Sequence, residues 1–201
     1  MPGQIKIDDG AGNYTVLTNG GSLGSDKTIT IPNTTGTMAL TSNLPNAQLD
    51  EIDMWVVNTD LTSDHQPIID TYWTRHSGTL INMPIGTGMS VNSSGHWTFP
   101  KTGYYEITFL ASVENDTNSN ATEIKIDGTN DNFSSNDAIA FARYYGGDNS
   151  RTSYLAYAIV DITDVSNDKV QFDFNEVNTS TLRGGITDMR TGVVFKRLCD
   201  T

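Results

Sequence analysis

The chain has 201 residues, enough to bury a core without disulfides, and its one cysteine, Cys199, excludes a disulfide framework or a multi-cysteine metal site. Twelve Lys and Arg against 24 Asp and Glu leave a net charge of −12, which argues against a nucleic-acid or anionic-membrane binder, since both need clustered cations. Asn, Ser and Thr supply 61 residues against 36 charged ones, a neutral-polar surface chemistry.

The first 43 residues contain no Trp, Phe or His and read as short strands: Tyr14–Asn19, Lys27–Asn33 and Thr37–Asn43. They alternate properly but carry few large side chains. At about 25 cal/mol per Å² of buried apolar surface, such a segment does not offset its own ordering entropy. It is therefore expected to be ordered by docking against something else, with Ile29, Ile31, Met38 and Leu40 as the docking residues. Residues 44–51 are expected to form a linker or a short helix, since Asn46–Asp53 follows Pro45 and is rich in helix formers.

From residue 52 onward, β-branched and aromatic runs with period two dominate, cut by Gly, Asn and Asp. Tyr105, Ile107, Phe109, Ala111 and Val113 line one face of the clearest strand, and the polar run 114–120 ends it. Strands follow at Ala121–Asp127 and Ala138–Tyr145. Gly146–Ser150 closes a hairpin into Arg151–Ile162, and Lys169–Asn175 and Ile186–Leu198 complete the set. The fold class is all-β.

One strand breaks the pattern of a sheet that faces the core on one side and water on the other. In Tyr154–Val160, Leu155, Tyr157 and Ile159 fill one face, and Tyr154, Ala156, Ala158 and Val160 make the other face apolar too. Assigning the first set to the core leaves the second outside, with Tyr104 and Leu110 on the outward face of their own strand. A loop could cover such a face. A second subunit is the expected cover, which makes Tyr104, Leu110, Tyr154, Ala156, Ala158 and Val160 the expected interface of a homo-oligomer.

No constellation for catalysis stands out. His65, His76 and His96 lack metal-ligand spacing, no Gly-x-Ser-x-Gly elbow occurs, and Cys199 sits two residues from the end. Most Asp residues fall at turn positions, where they accept local hydrogen bonds. The run Asp127–Asn132 is the one place where a structural calcium is considered, although it departs from the EF-hand pattern. The chain is expected to be no enzyme and to hold no cofactor. Its opening residues lack the basic-then-apolar order of a secretory signal, and no apolar run approaches the roughly 18 residues of a membrane span. Assembly in a bacterial cytoplasm is expected, without membrane insertion. The seven Asn-x-Ser/Thr sites are accordingly read as unglycosylated surface.

Ser94-Gly-His-Trp-Thr-Phe-Pro-Lys-Thr-Gly-Tyr-Tyr-Glu-Ile107 resembles the central motif of the globular heads of the first complement component and of tumour necrosis factor. Tyr154–Phe174, with its turn at 165–170, and Thr191–Leu198 follow in that family's order. The resemblance covers Ile52 to Leu198. It implies a two-sheet jelly roll that trimerises through aromatic and small apolar residues, without the family's collagen-like stalk. Ser25–Ser42, containing Thr-Ile-Thr-Ile-Pro-Asn-Thr-Thr-Gly-Thr-Met-Ala-Leu, is similar to a segment common in bacteriophage fibre and virion-surface proteins. Together the two resemblances imply a trimeric virion-surface protein: residues 1–43 an attachment segment, 52–201 a jelly-roll head. About 50 residues precede the head, short for a fibre shaft, so capsid decoration on the major capsid protein is the expected role. The alternative is a short tail spike that binds a host glycan, for which Trp73 and Trp97 are the candidate stacking platforms, although a core position is the expected one for both.

Overall fold

The computed structural model describes residues 5–8, 14–17, 49–78, 80–115, 120–147, 150–176 and 180–201. The chain divides into two compact units, Met1–Leu40 and Thr41–Thr201. In the first, β1 (Ile5–Asp8) pairs antiparallel with β2 (Tyr14–Leu17), in register from Ile5 opposite Leu17 to Asp8 opposite Tyr14. The sequence reading anticipated β2 and passed over β1. Ile29, Ile31, Met38 and Leu40 lie outside the described residues.

The second unit is a sandwich of two antiparallel sheets. The first sheet runs β10 (Ser150–Ile162), β7 (Gly103–Asn115), β13 (Gly192–Cys199), β3 (Ile52–Val57), β4 (Trp73–Arg75), with β12 (Ser180–Leu182) extending it beside the end of β7. The second runs β5 (Ser90–Val91), β6 (Trp97–Thr98), β11 (Lys169–Glu176), β8 (Asn120–Thr129), β9 (Asp137–Gly146). The strand order is non-sequential in both sheets, as in a jelly roll. Among the described residues there is no α-helix, and the 3-10 turn spans Asp70–Tyr72.

Helix formation at Asn46–Asp53 is corrected over its described part. Leu49–Glu51 is irregular, and Ile52 opens β3, paired to Lys196 of β13. Helix propensity at 46–53 yields to the ladder hydrogen bonds and burial available to Ile52–Val57 in the middle of a sheet. The last strand also starts later than its apolar pattern suggested, at Gly192 instead of Ile186.

The core between the sheets is aromatic. Trp73, Trp97, Phe109, Phe172 and Phe195 form one buried cluster, with Phe109 and Phe172 ring centroids 5.1 Å apart and Trp73 and Trp97 5.4 Å apart. Most of these pairs meet edge to face or tilted, the arrangement favoured by ring quadrupoles. Trp97 is fully buried and Trp73 nearly so, with the Trp73 indole donating to the Ile68 carbonyl at 3.1 Å. Both are core residues, as expected, and neither can serve as a stacking platform for a glycan.

A candidate assembly surface

The facing of β10 follows from its register on β7, because directly paired residues of an antiparallel sheet point to the same side. Tyr105, Ile107, Phe109 and Ala111 of β7 are fully buried between the sheets. They pair with Val160, Ala158, Ala156 and Tyr154 respectively. Those four β10 residues therefore point inward, and Ala156 and Ala158 are buried within the single chain. The expected interface is corrected at Tyr154, Ala156, Ala158 and Val160, which belong to the core side. The physical reason is size complementarity. Small alanines of β10 stand opposite the large Phe109 and Ile107, so the core takes its bulk from one strand and its space from the other. Tyr154 lies at the margin, stacked on Tyr144 at 6.1 Å, and its hydroxyl donates to Thr122 Oγ1 at 2.8 Å. Burial pushes that phenol up to about 12, so it stays neutral.

The larger side chains of β10 face out. Leu155, Tyr157 and Ile159 are 52%, 49% and 54% exposed. Opposite them stand Leu110, Thr108 and Glu106 of β7, followed on β13 by Gly192, Val194 and Lys196. Met54 on β3 continues the row of Val194. Tyr104 sits at one end of this face, paired with Asp161, and Leu110 lies within it, as the sequence reading placed both. The Lys196–Glu106 ion pair, 2.6 Å, is the charged feature set into this apolar face.

A second apolar surface adjoins it. β9 pairs only with β8 and β10 only with β7 among the described strands, and the two edge strands contact each other across one side of the sandwich. β9 turns Ile139, Phe141, Arg143 and Tyr145 outward, and Phe141 and Tyr145 are 65% and 70% exposed. Neither Pro nor Lys interrupts β9. Natural proteins blunt or cover long edges of this kind. The aromatic spacing is visible in the sequence, but its exposure was not, because the edge position of β9 follows only from its pairing in the sheet.

Elsewhere the charges are spent on the chain itself. Asp53, 1% exposed, accepts the Trp55 indole N–H at 2.8 Å, the Met89 amide at 2.8 Å and the Arg75 guanidinium at 2.9 Å. Glu51 accepts the amides of Thr87 and Gly88 and pairs with Lys101 at 3.0 Å. Although burial opposes it, those donors together hold the Glu51 carboxyl below its ordinary range. Arg197 binds Asp50, Asp200 and the Thr102 carbonyl. The entry into β3 is thus held by three carboxylates, Asp50, Glu51 and Asp53. Sequence reading missed them; the signal was an Asp-x-Trp step inside an otherwise apolar strand.

Asp127 and Asp131, considered for calcium, point to different partners. Asp127 binds Lys125 at 2.9 Å and accepts from Asn136 at 3.0 Å, whereas Asp131 accepts the Thr129 hydroxyl at 2.6 Å and the Ser135 amide and hydroxyl. Those local donors hold Asp131 down at about 2. Among the described residues, no three His, Cys, Asp or Glu side chains come together as a metal site. His76 is buried, His65 meets Tyr72 edge-on, and His96 stacks on Phe133 at 4.1 Å. Cys199 is exposed near the end of β13.

No protein-family model matches the chain, and no curated protein matches it in sequence. Solved structures do match in fold. Murine APRIL, at pH 5.0, superposes with a TM-score of 0.54 at 9% identity, over 74% of this chain and 98% of that one. Eiger TNF from S. frugiperda superposes with a TM-score of 0.52 at 10% identity, over 77% and 96%. The sandwich is a TNF-like jelly roll. That likeness is one of fold, in agreement with the resemblance carried by residues 94–107.

Proposed function

We propose that this chain is a non-enzymatic structural protein of a bacteriophage virion surface, a homotrimer that decorates the capsid. The observation that carries the assembly reading is the pair of adjoining apolar surfaces, the Leu155–Tyr157–Ile159 face and the Phe141–Tyr145 edge. They are different patches of one molecule, so their association is heterologous, and a heterologous contact closes into a ring when its rotation permits. The threefold closure is what resemblance to the complement and tumour necrosis factor heads implies. Large contiguous apolar surface on a soluble chain is the common mark of an interaction site.

The virion setting rests on the resemblance of residues 25–42 to phage surface proteins, with the first unit as the part that docks on the major capsid protein. A surface of net charge −12, rich in Asn, Ser and Thr, suits display in many copies without self-adhesion. Light scattering on the purified chain tests the assembly: a stable monomer at micromolar concentration overturns it. Counting copies in a virion density map tests the placement. Hundreds of copies support capsid decoration; a few dozen or fewer assign the chain to a tail spike. Deleting residues 1–43 is expected to abolish capsid binding and leave the trimer.

A further inference from the structure

A cleft of about 440 Å³ opens at the side of the sandwich opposite β9 and β10, where β3 and β4 of the first sheet meet β5 and β6 of the second. That volume lies within the range of small-molecule sites, roughly 300–1,000 Å³. Trp55, Arg75, Thr87, Ser90, Val91 and Thr98 line it.

Arg75 is held there unusually firmly. Its Nε and Nη2 both donate to Asp53, at 3.0 and 2.9 Å, and Nη2 also donates to the Met89 carbonyl at 2.9 Å. The guanidinium lies over the Trp55 ring, 4.5 Å from its centroid. Nη1 has no protein partner among the described residues, and neither has the hydroxyl of Thr87 or Ser90. The Trp55 indole N–H is already taken by Asp53 and the guanidinium covers one face of its ring, which leaves the exposed remainder of the half-buried ring beside Val91 as the apolar part of the lining.

We propose that this cleft binds a neutral sugar ring, with the Arg75 guanidinium and the Thr87 and Ser90 hydroxyls meeting its hydroxyl groups and Val91, with the exposed part of Trp55, its C–H groups. A hydroxyl-bearing ring asks for fixed donors, groups that both donate and accept, and an apolar wall, and all three converge here. Preorganisation favours binding, since Asp53 has already removed the rotamer freedom of the arginine. Neutrality follows from charge. The buried Asp53 cancels the guanidinium, and a chain of net charge −12 repels an anionic ligand. This inference is independent of the trimer, because β4 and β5 are the strands of each sheet farthest from the β9 and β10 edge.

The test is titration of the isotope-labelled full chain with methyl glucoside, methyl galactoside and methyl N-acetylglucosaminide, with glucuronate as the charged comparator. The indole N–H resonance of Trp55 and the Nε–H resonance of Arg75 are followed. At least one neutral sugar is expected to give saturable shifts at both, with a Kd of about 1–10 mM, and glucuronate to bind several-fold more weakly. Ser90→Trp fills the cleft from an exposed position without touching Asp53 and is expected to weaken binding at least about tenfold, or about 1.4 kcal/mol. Arg75→Lys is expected to do the same, since an ammonium cannot reproduce the fork held by Asp53. The proposal is overturned if no neutral sugar gives a saturable shift up to about 100 mM. It is equally overturned if glucuronate binds as tightly, or if Ser90→Trp leaves binding unchanged.

Discussion

The outer face of the first sheet and the β8/β11 part of the second sheet's outer face solve the same problem in opposite ways. On the second sheet, Lys125 pairs with both Asp127 and Asp173, at 2.9 and 3.1 Å, and Gln171 donates to the same two carboxylates. Asn136, from the loop after β8, closes over Asp127. Asp127 and Asp173 are thereby buried within one chain although they point away from the core. On the first sheet, Leu155, Tyr157 and Ile159 have no such cover and stand half in water. The β8/β11 part of the second face is completed by the chain's own polar groups, while its β9 edge, with Phe141 and Tyr145, stands open like the first face. An apolar face that a loop had covered would carry no information about assembly, and the contrast with the covered β8/β11 patch is what gives the exposed residues their weight.

The largest test of that contrast is Tyr157→Glu. A charge at the centre of the apolar face is expected to dissociate the proposed trimer, from three chain masses of 21.9 kDa to one by light scattering, while circular dichroism retains the β signature. A variant that stays fully assembled would remove this face from the interface.

Ala158→Leu probes the opposite side of the same strand. Ala158 faces the core against Ile107, so the added bulk is expected to cost about 1–3 kcal/mol by denaturant unfolding. Were the strand turned the other way, the same change would alter association and leave stability untouched.

The second sheet yields a pH signature. Burial, with the neighbouring Asp127 charge adding to it and Lys125 opposing it, pushes Asp173 up to about 6. A carboxyl raised above its unfolded value, about 3.9, favours the folded state when protonated. Its contribution is fully present below about pH 4 and is lost as pH rises through about 6. Asp173→Asn is expected to be more stable than the parent at pH 7.5 and to lose that advantage near pH 4. Unfolding midpoints at the two pH values decide it, and an equal difference at both would remove Asp173 as the source.

The smallest effect is expected at the charged feature of the first face. Lys196–Glu106 is a partly exposed pair, and Lys196→Ala is expected to change monomer stability by less than about 1 kcal/mol. A larger change in association than in stability would place this pair inside the interface.

Much of the fold was legible in the chain, because strands announce themselves by period two and by the Gly, Asn and Asp that end them. The alternation Tyr105, Ile107, Phe109, Ala111, Val113 marks both β7 and its buried side. The two-sided character of Tyr154–Val160 was equally visible and correctly pointed to an uncovered face. Which side of that strand lies inside was not legible. Size suggested that Leu155, Tyr157 and Ile159 fill the core. The register on β7 reversed this, because Phe109 and Ile107 already occupied the volume and only alanine fitted opposite them. The Asp53–Arg75–Trp55 cluster was hidden for a related reason: its members lie up to 22 residues apart and meet only because β3 and β4 pair.

Composition and periodicity alone settled an all-β chain, acidic and neutral-polar, with one strand apolar on both sides, since these are local properties of neighbouring residues. Facing, edges and charge networks belong to the tertiary structure. They depend on which strand lies beside which, and sheet pairing joins residues that no local pattern connects. The acidic excess noted at the outset divides accordingly. Part of it is turn chemistry, as at Asp131, and part is buried structural charge at Glu51, Asp53, Asp127 and Asp173, whose partners only the folded sandwich brings within reach.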